Sequence, residues 1–154
     1  MTHMKKNILV VDDSALMRRV MCDIINSDSK FQATDYCRDG LEAYEKLKHT
    51  SYDGVVLDVN MPRMDGLQLL EKLQKEGIRA NVVMVSTLTD SREADVTILA
   101  MERGAIDFVA KPTNIIEAKG EAFKRQLLGI LNAVLETKKT AGGIVRWTSL
   151  KFQI

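Results

Sequence analysis

The chain has 154 residues, 45% of them hydrophobic and 28% charged, with a formal net charge of +1. That length favours one domain with a tail and a core of useful size. The even charge balance gives no electrostatic reason to propose DNA, RNA or a membrane surface as partner. No apolar run approaches the roughly 18 to 20 residues that cross a bilayer. The opening residues lead straight into a strand with no secretory pattern, so a cytoplasmic protein is expected. Cys22 and Cys37 belong to no C-x-x-C pair and read as reduced thiols.

Strands are expected at about 7–11, 32–37, 53–57, 82–86 and 106–109. Ile8-Leu9-Val10-Val11, Val55-Val56-Leu57 and Val82-Val83-Met84-Val85 are continuous apolar runs. Such runs suit a parallel sheet covered by helices on both faces. The second strand is more polar and is placed towards an edge. Between the strands the apolar spacing turns helical. Met17, Val20, Met21, Ile24 and Ile25 form the first stripe, Ala43 and Leu47 the second, and Leu67, Leu70 and Leu73 the third. A fourth helix is expected over 91–103, stopped by Gly104. A fifth begins after Thr113-Asn114, with Glu117 placed to complete a capping box on Asn114. Its stripe is Phe123, Leu127, Ile130, Leu131, Val134 and Leu135.

Five βα units in series predict a doubly wound, five-stranded parallel sheet of flavodoxin-like order 2-1-3-4-5. The domain is expected over 5–137. Residues 138–154 begin with the linker-like Lys138-Lys139-Thr140-Ala141-Gly142-Gly143 and read as a tail, or as the start of a further domain.

Polar groups follow the strands where such folds bind ligands. Asp12-Asp13 follow the first, Asp58 ends the third, Ser86 the fourth, and Lys111-Pro112 follow the fifth. In order 2-1-3-4-5 the crevice lies between the first and third strands, so Asp12, Asp13 and Asp58 are expected to share it. Carboxylates are hard oxygen ligands, and with a backbone carbonyl from Asn60 they suit Mg²⁺. Asp58 is the expected nucleophile toward phosphorus. Lys111 is expected to neutralise phosphoryl oxygens and Ser86 to bond one of them.

These motifs resemble the receiver domain of two-component response regulators. They are Val10-Val11-Asp12-Asp13-Ser14, Leu57-Asp58-Val59-Asn60-Met61-Pro62-Arg63-Met64-Asp65-Gly66, Ser86-Thr87-Leu88-Thr89, and Gly104-Ala105-Ile106-Asp107-Phe108-Val109-Ala110-Lys111-Pro112. The resemblance covers about residues 5–135 and implies a CheY-like fold. It implies that Asp58 accepts a phosphoryl group from a sensor histidine kinase, one of chemotaxis in the narrower family. It implies Mg²⁺ on Asp13, Asp58 and the Asn60 carbonyl with Asp12 assisting, and phosphate on Ser86 and Lys111. It further implies a cis Lys111–Pro112 bond and Phe108 as a switch aromatic. Phosphorylation would then act on an effector through the face made by the fourth helix, fifth strand and fifth helix.

A narrower resemblance, carried by Asp12-Asp13-Ser14-Ala15-Leu16-Met17-Arg18-Arg19, Met84-Val85-Ser86-Thr87-Leu88-Thr89 and Asp107-Phe108-Val109-Ala110-Lys111-Pro112, is to the regulatory domain of chemotaxis protein-glutamate methylesterases of the CheB type. That family has a separate hydrolase domain, so methylesterase activity is not assigned to these 154 residues. The domain itself only promotes its own phosphorylation and dephosphorylation. A stand-alone CheY-like receiver is the rival within the class. A Mg²⁺-dependent phosphohydrolase of haloacid-dehalogenase type would need a D-x-D pair, but Asn60 and Ser14 stand at the second positions. A flavin-binding module would meet the repulsion of Asp12-Asp13 after the first strand.

Overall fold

Side chains on a strand alternate between faces, so a sheet with helices on both sides needs apolar residues at every position. The computed structural model, which describes residues 4–87 and 93–136, shows this alternation directly. Its elements are β1 (Lys6–Val11), α1 (Ala15–Asn26), β2 (Phe31–Cys37), α2 (Gly40–His49), β3 (Gly54–Asp58), α3 (Gly66–Lys75), β4 (Val82–Ser86), α4 (Glu93–Glu102), β5 (Asp107–Ala110), α5 (Ile115–Ala118) and α6 (Glu121–Glu136). Ile8, Val10, Val56, Val83, Val85 and Val109 pack with α1, α5 and α6 on one face. Leu9, Val11, Val55, Leu57, Val82 and Met84 pack with α2, α3 and α4 on the other.

All strand pairs are parallel and the order is β2-β1-β3-β4-β5, the CheY-like arrangement. β2 is the half-exposed edge expected from its polar residues. The stripe of α1 is buried at each expected position. In α3 the buried residues are Leu69, Leu70 and Leu73, with Leu67 only partly covered.

Local chemistry sets the ends of the helices. Ser14 caps α1, its hydroxyl accepting from the Met17 amide. Asp65 and Gln68 form a reciprocal capping box on α3. At the end of α4, Gly104 takes φ 105° and the Ala105 amide reaches back to the Ala100 carbonyl, a glycine-terminated helix as expected.

The fifth helix differs from expectation in two ways. It is two helices, because the Gly120 amide bonds to the Glu117 carbonyl in a tight turn and α6 starts afresh at Glu121. The box on Asn114 is also only half made: Asn114 accepts from the Glu117 amide, but the Glu117 carboxylate faces the Thr113 hydroxyl at 3.4 Å. Residues 91–92 and the tail 138–154, where further expectations fell, lie outside the described residues. Among the described residues no helix is long and apolar enough to cross a membrane.

Candidate functional site

β1 and β3 are neighbours and Val11 pairs with Leu57, so the residues that follow them, Asp12 and Asp58, emerge side by side. Both are buried, whereas Asp13 is exposed. One carboxylate oxygen from each of Asp12, Asp13 and Asp58 lies within 4.8 Å of the others. Lys111 follows β5, two strands from β3. Its amide is tied to the Ser86 carbonyl, and its side chain reaches back across the crevice. The ammonium stands 2.8 Å from Asp12 Oδ2 and 3.3 Å from Asp58 Oδ2.

Burial and a neighbouring carboxylate both disfavour the charged form of Asp58. Burial pushes the Asp58 carboxyl up to about 7, and the charge of Asp12 adds to this while Lys111 opposes it. Burial alone would lower the Lys111 ammonium, but Asp12 and Asp58 outweigh it and hold it above its ordinary value. Asp12 Oδ1 accepts from the Ser14 amide at 2.8 Å. Asp12 Oδ2 is buried and is met by the Lys111 ammonium at 2.8 Å, a charge-assisted contact. Three carboxylates that each offer an oxygen to one small crevice, two of them buried, are a donor set that fits a hard divalent cation.

The backbone around the crevice is tightly held. Arg18 donates to the Asp12 carbonyl at 2.8 Å and its guanidinium lies over the Tyr36 ring, 5.5 Å from the centroid. In the loop from β3 to α3, the Gly66 amide bonds to the Val59 carbonyl at 2.8 Å. Any side chain on Gly66 would collide with the Asp58 carbonyl oxygen. Arg63 has φ 67°, and it is the only non-glycine residue with positive φ among those described. That conformation costs an L-residue about 1 kcal/mol or more and persists where the surroundings hold it. Here the guanidinium grips Asp39 Oδ2, from Nε at 2.8 Å and from Nη2 at 2.6 Å.

A profile of the family described as the response regulator receiver domain matches residues 8–120. The chain belongs to that family. The receiver is 45% identical over 124 residues to the protein-glutamate methylesterase/protein-glutamine glutaminase of Pyrococcus horikoshii, covering 80% of this chain and 33% of that protein. It thus spans about a third of the length of the curated relatives it matches. It is similar in structure to the response regulator domain of Thermotoga maritima CheB, with TM-score 0.74 and 34% identity over 86% of this chain and 98% of that one. It is also similar to a chain of the CheX-CheY-BeF3-Mg²⁺ complex from Borrelia burgdorferi, with TM-score 0.69 and 29% identity over 84% and 88%.

Of the residues singled out in the sequence, the receiver brings Asp12, Asp13, Asp58 and Lys111 together. Ser86 is buried at the end of β4, and among the described residues its hydroxyl meets the Thr87 carbonyl at 3.5 Å. Asn60 is exposed in the loop after Asp58. Phe108 is partly buried on β5, paired with Met84, while Ser86 pairs with Ala110. Side chains two apart share a face, so Ser86 and Phe108 look toward the same side of the sheet. The Lys111–Pro112 bond is trans, contrary to the expectation of a cis bond; trans is the lower-energy form even before proline. Arg63 and Arg18 stand inside the motifs named from the sequence without a role of their own, and Asp39 is not singled out. The Asp39-Gly40 pair before a helical stripe is a capping signal, but nothing local points Asp39 at Arg63, 24 positions on.

Proposed function

We propose that this receiver takes a phosphoryl group onto Asp58 from a sensor histidine kinase of a chemotaxis pathway and reports it to a methylesterase effector. The observation that carries the reading is a buried carboxylate, Asp58, facing both an ammonium and two further acids within one crevice. The proposed holders of Mg²⁺ are Asp12, Asp13, Asp58 and the Asn60 carbonyl. Bound there, the ion would screen the negative charge that gathers as phosphate meets carboxylate.

The chain's own groups do the rest. A carboxylate oxygen of Asp58 forms the new O–P bond as the N–P bond of the donor phosphohistidine breaks, and the electron pair leaves on the imidazole nitrogen. Asp58 must be ionised for this, and Lys111 favours that form. Lys111 also balances the phosphoryl oxygens that arrive. Among the described residues the Ser86 hydroxyl has only the long 3.5 Å contact to the Thr87 carbonyl, and it is placed to bond one of those oxygens.

Ser86 and Phe108 share a face of the sheet, which supports a coupled movement: Ser86 turns to the phosphate and Phe108 follows inward. The surface this would alter carries exposed Ile98 and Met101 on α4 and Ile116 on α5, apolar side chains suited to an effector. The domain is proposed to span 5–137, with 138–154 leading toward that effector, and to work in the cytoplasm.

Acetyl phosphate with Mg²⁺, read by intact mass, tests the chemistry. The wild type is expected to gain one phosphoryl group and Asp58→Asn none. Equal labelling of the two proteins would place the chemistry elsewhere.

A further inference from the structure

We propose that Arg63 is a positioning residue for the metal site: by gripping Asp39 it fixes the loop that presents the Asn60 carbonyl. This rests on the Mg²⁺ reading above and adds a residue that touches neither metal nor phosphate. The loop leaves Asp58 and returns at Gly66, where the Gly66 amide closes its base on the Val59 carbonyl. Beyond that base, Asn60 and Met61 make no hydrogen bond among the described residues, and the Met64 amide closes only a local turn on the Pro62 carbonyl.

What holds the far side of the loop is α2. Arg63 Nε and Nη2 both meet Asp39 Oδ2 at 2.8 and 2.6 Å, and the Gly40 amide donates to the Met64 carbonyl at 2.9 Å. Asp39 is itself buried and bonded. It is 4% exposed, and its other oxygen caps α2 by accepting the Glu42 amide at 2.9 Å. Gly40 allows the close approach, because a Cβ there would lie 2.5 Å from the Met64 oxygen. Arg63 adopts a backbone angle that non-glycine residues rarely take, and the buried carboxylate is what it gains. The loop that carries a proposed ligand is therefore anchored to the start of another helix by one backbone hydrogen bond and, as its side-chain grip, by the Arg63 guanidinium.

The decisive variant is Arg63→Gly. Glycine accepts the positive φ without strain, so the grip on Asp39 is removed with no new backbone clash, and Asp39→Asn removes the same grip from the other side with the loop sequence intact. Electrostatics and positioning predict opposite signs here. Removing a cation from the neighbourhood of an acidic site should tighten Mg²⁺ if charge alone matters. Loss of the anchor should weaken it, on the order of 10-fold, the scale at which partners behind the ligands act.

Calorimetric titration of the 154-residue chain with Mg²⁺ alone reads the effect. The expected result is weaker binding by Arg63→Gly and by Asp39→Asn, with Arg63→Lys in between, because an ammonium keeps the charge without the fork. Amide exchange at Gly40 is expected to quicken in Arg63→Gly. Unchanged or tighter Mg²⁺ binding by Arg63→Gly, with Gly40 exchange quickened, would make Arg63 a purely structural clamp and overturn the inference. A wild type that binds no Mg²⁺ would instead overturn the metal reading, and this inference with it.

Discussion

Asp58 carries two demands that conflict. Under the proposed phosphoryl transfer it must be buried to exclude water from the reacting atoms, and it must be ionised to react. Burial beside Asp12 pushes its carboxyl to about 7, far above the ordinary value of 3.8. The sign of the consequence follows from linkage. Between about pH 4 and pH 7 the unfolded chain has released this proton while the folded, metal-free protein still holds it. Stability from this group is therefore present at low pH and falls as pH rises toward 7. A divalent ion needs the ionised form, so its stabilising effect grows through the same window. Thermal denaturation by circular dichroism is expected to show a larger Mg²⁺-induced rise in Tm at pH 8 than at pH 6. Asp58→Asn is expected to flatten the dependence of the metal-free protein between pH 4 and 7. Equal Mg²⁺ effects at the two pH values would mean that Asp58 titrates well below this range.

The same conflict repeats among the elements that frame the site. Strand ends converge on the crevice, and the loops must turn sharply to clear it. Gly66 begins α3 directly under the Asp58 carbonyl, with Met84 Cε and Val59 Cα each 3.1 Å from where a Cβ would stand. Backbone atoms line most of that space, so little can move aside. Gly66→Ala is expected to destabilise the protein by about 3 kcal/mol through overpacking. A urea titration is the check: the midpoint should fall with the slope unchanged. A shift within about 0.5 kcal/mol of zero would show that the loop yields more readily than its contacts imply. At the opposite end of the chain, the break between α5 and α6 lets Ala118 and Phe123 both reach the core formed with α1. One unbroken helix, as the periodicity predicts, would not pass through the Gly120 turn.

Across the whole molecule, the sheet separates two apolar layers, and the site sits on the sheet's carboxyl edge where both layers end. A change at that edge can spread along either face. Ser86 and Phe108 belong to the face packed by α3 and α4, so that face is the proposed route. Beryllofluoride with Mg²⁺, a phosphoryl mimic, is expected to shift the Phe108 ring signals in the NMR spectrum and to alter amide exchange in α4 and β5. Phe108→Ala should still take up phosphoryl while losing the α4 response. An unchanged Phe108 rotamer distribution would end the coupling idea and leave the phosphoryl chemistry untouched.

Much of this architecture is written locally. Continuous apolar runs such as Val82-Val83-Met84-Val85 mark buried parallel strands, and the stripe from Met17 to Ile25 marks a helix facing them. Asp12, Asp58, Ser86 and Lys111 could be placed at strand ends from the sequence, because each directly follows or closes such a run. Five βα units with right-handed crossovers then leave few ways to order the sheet. The tertiary structure alone decided which charges touch. That Lys111 spans from β5 to Asp12 and Asp58, that three carboxylates share one crevice, and that Arg63 finds Asp39 depend on how separate loops meet in space. The physical reason is range. Periodicity and capping act over three or four residues and leave a mark in the sequence, whereas an ion pair between distant loops exists only once the crossovers have brought the loops together.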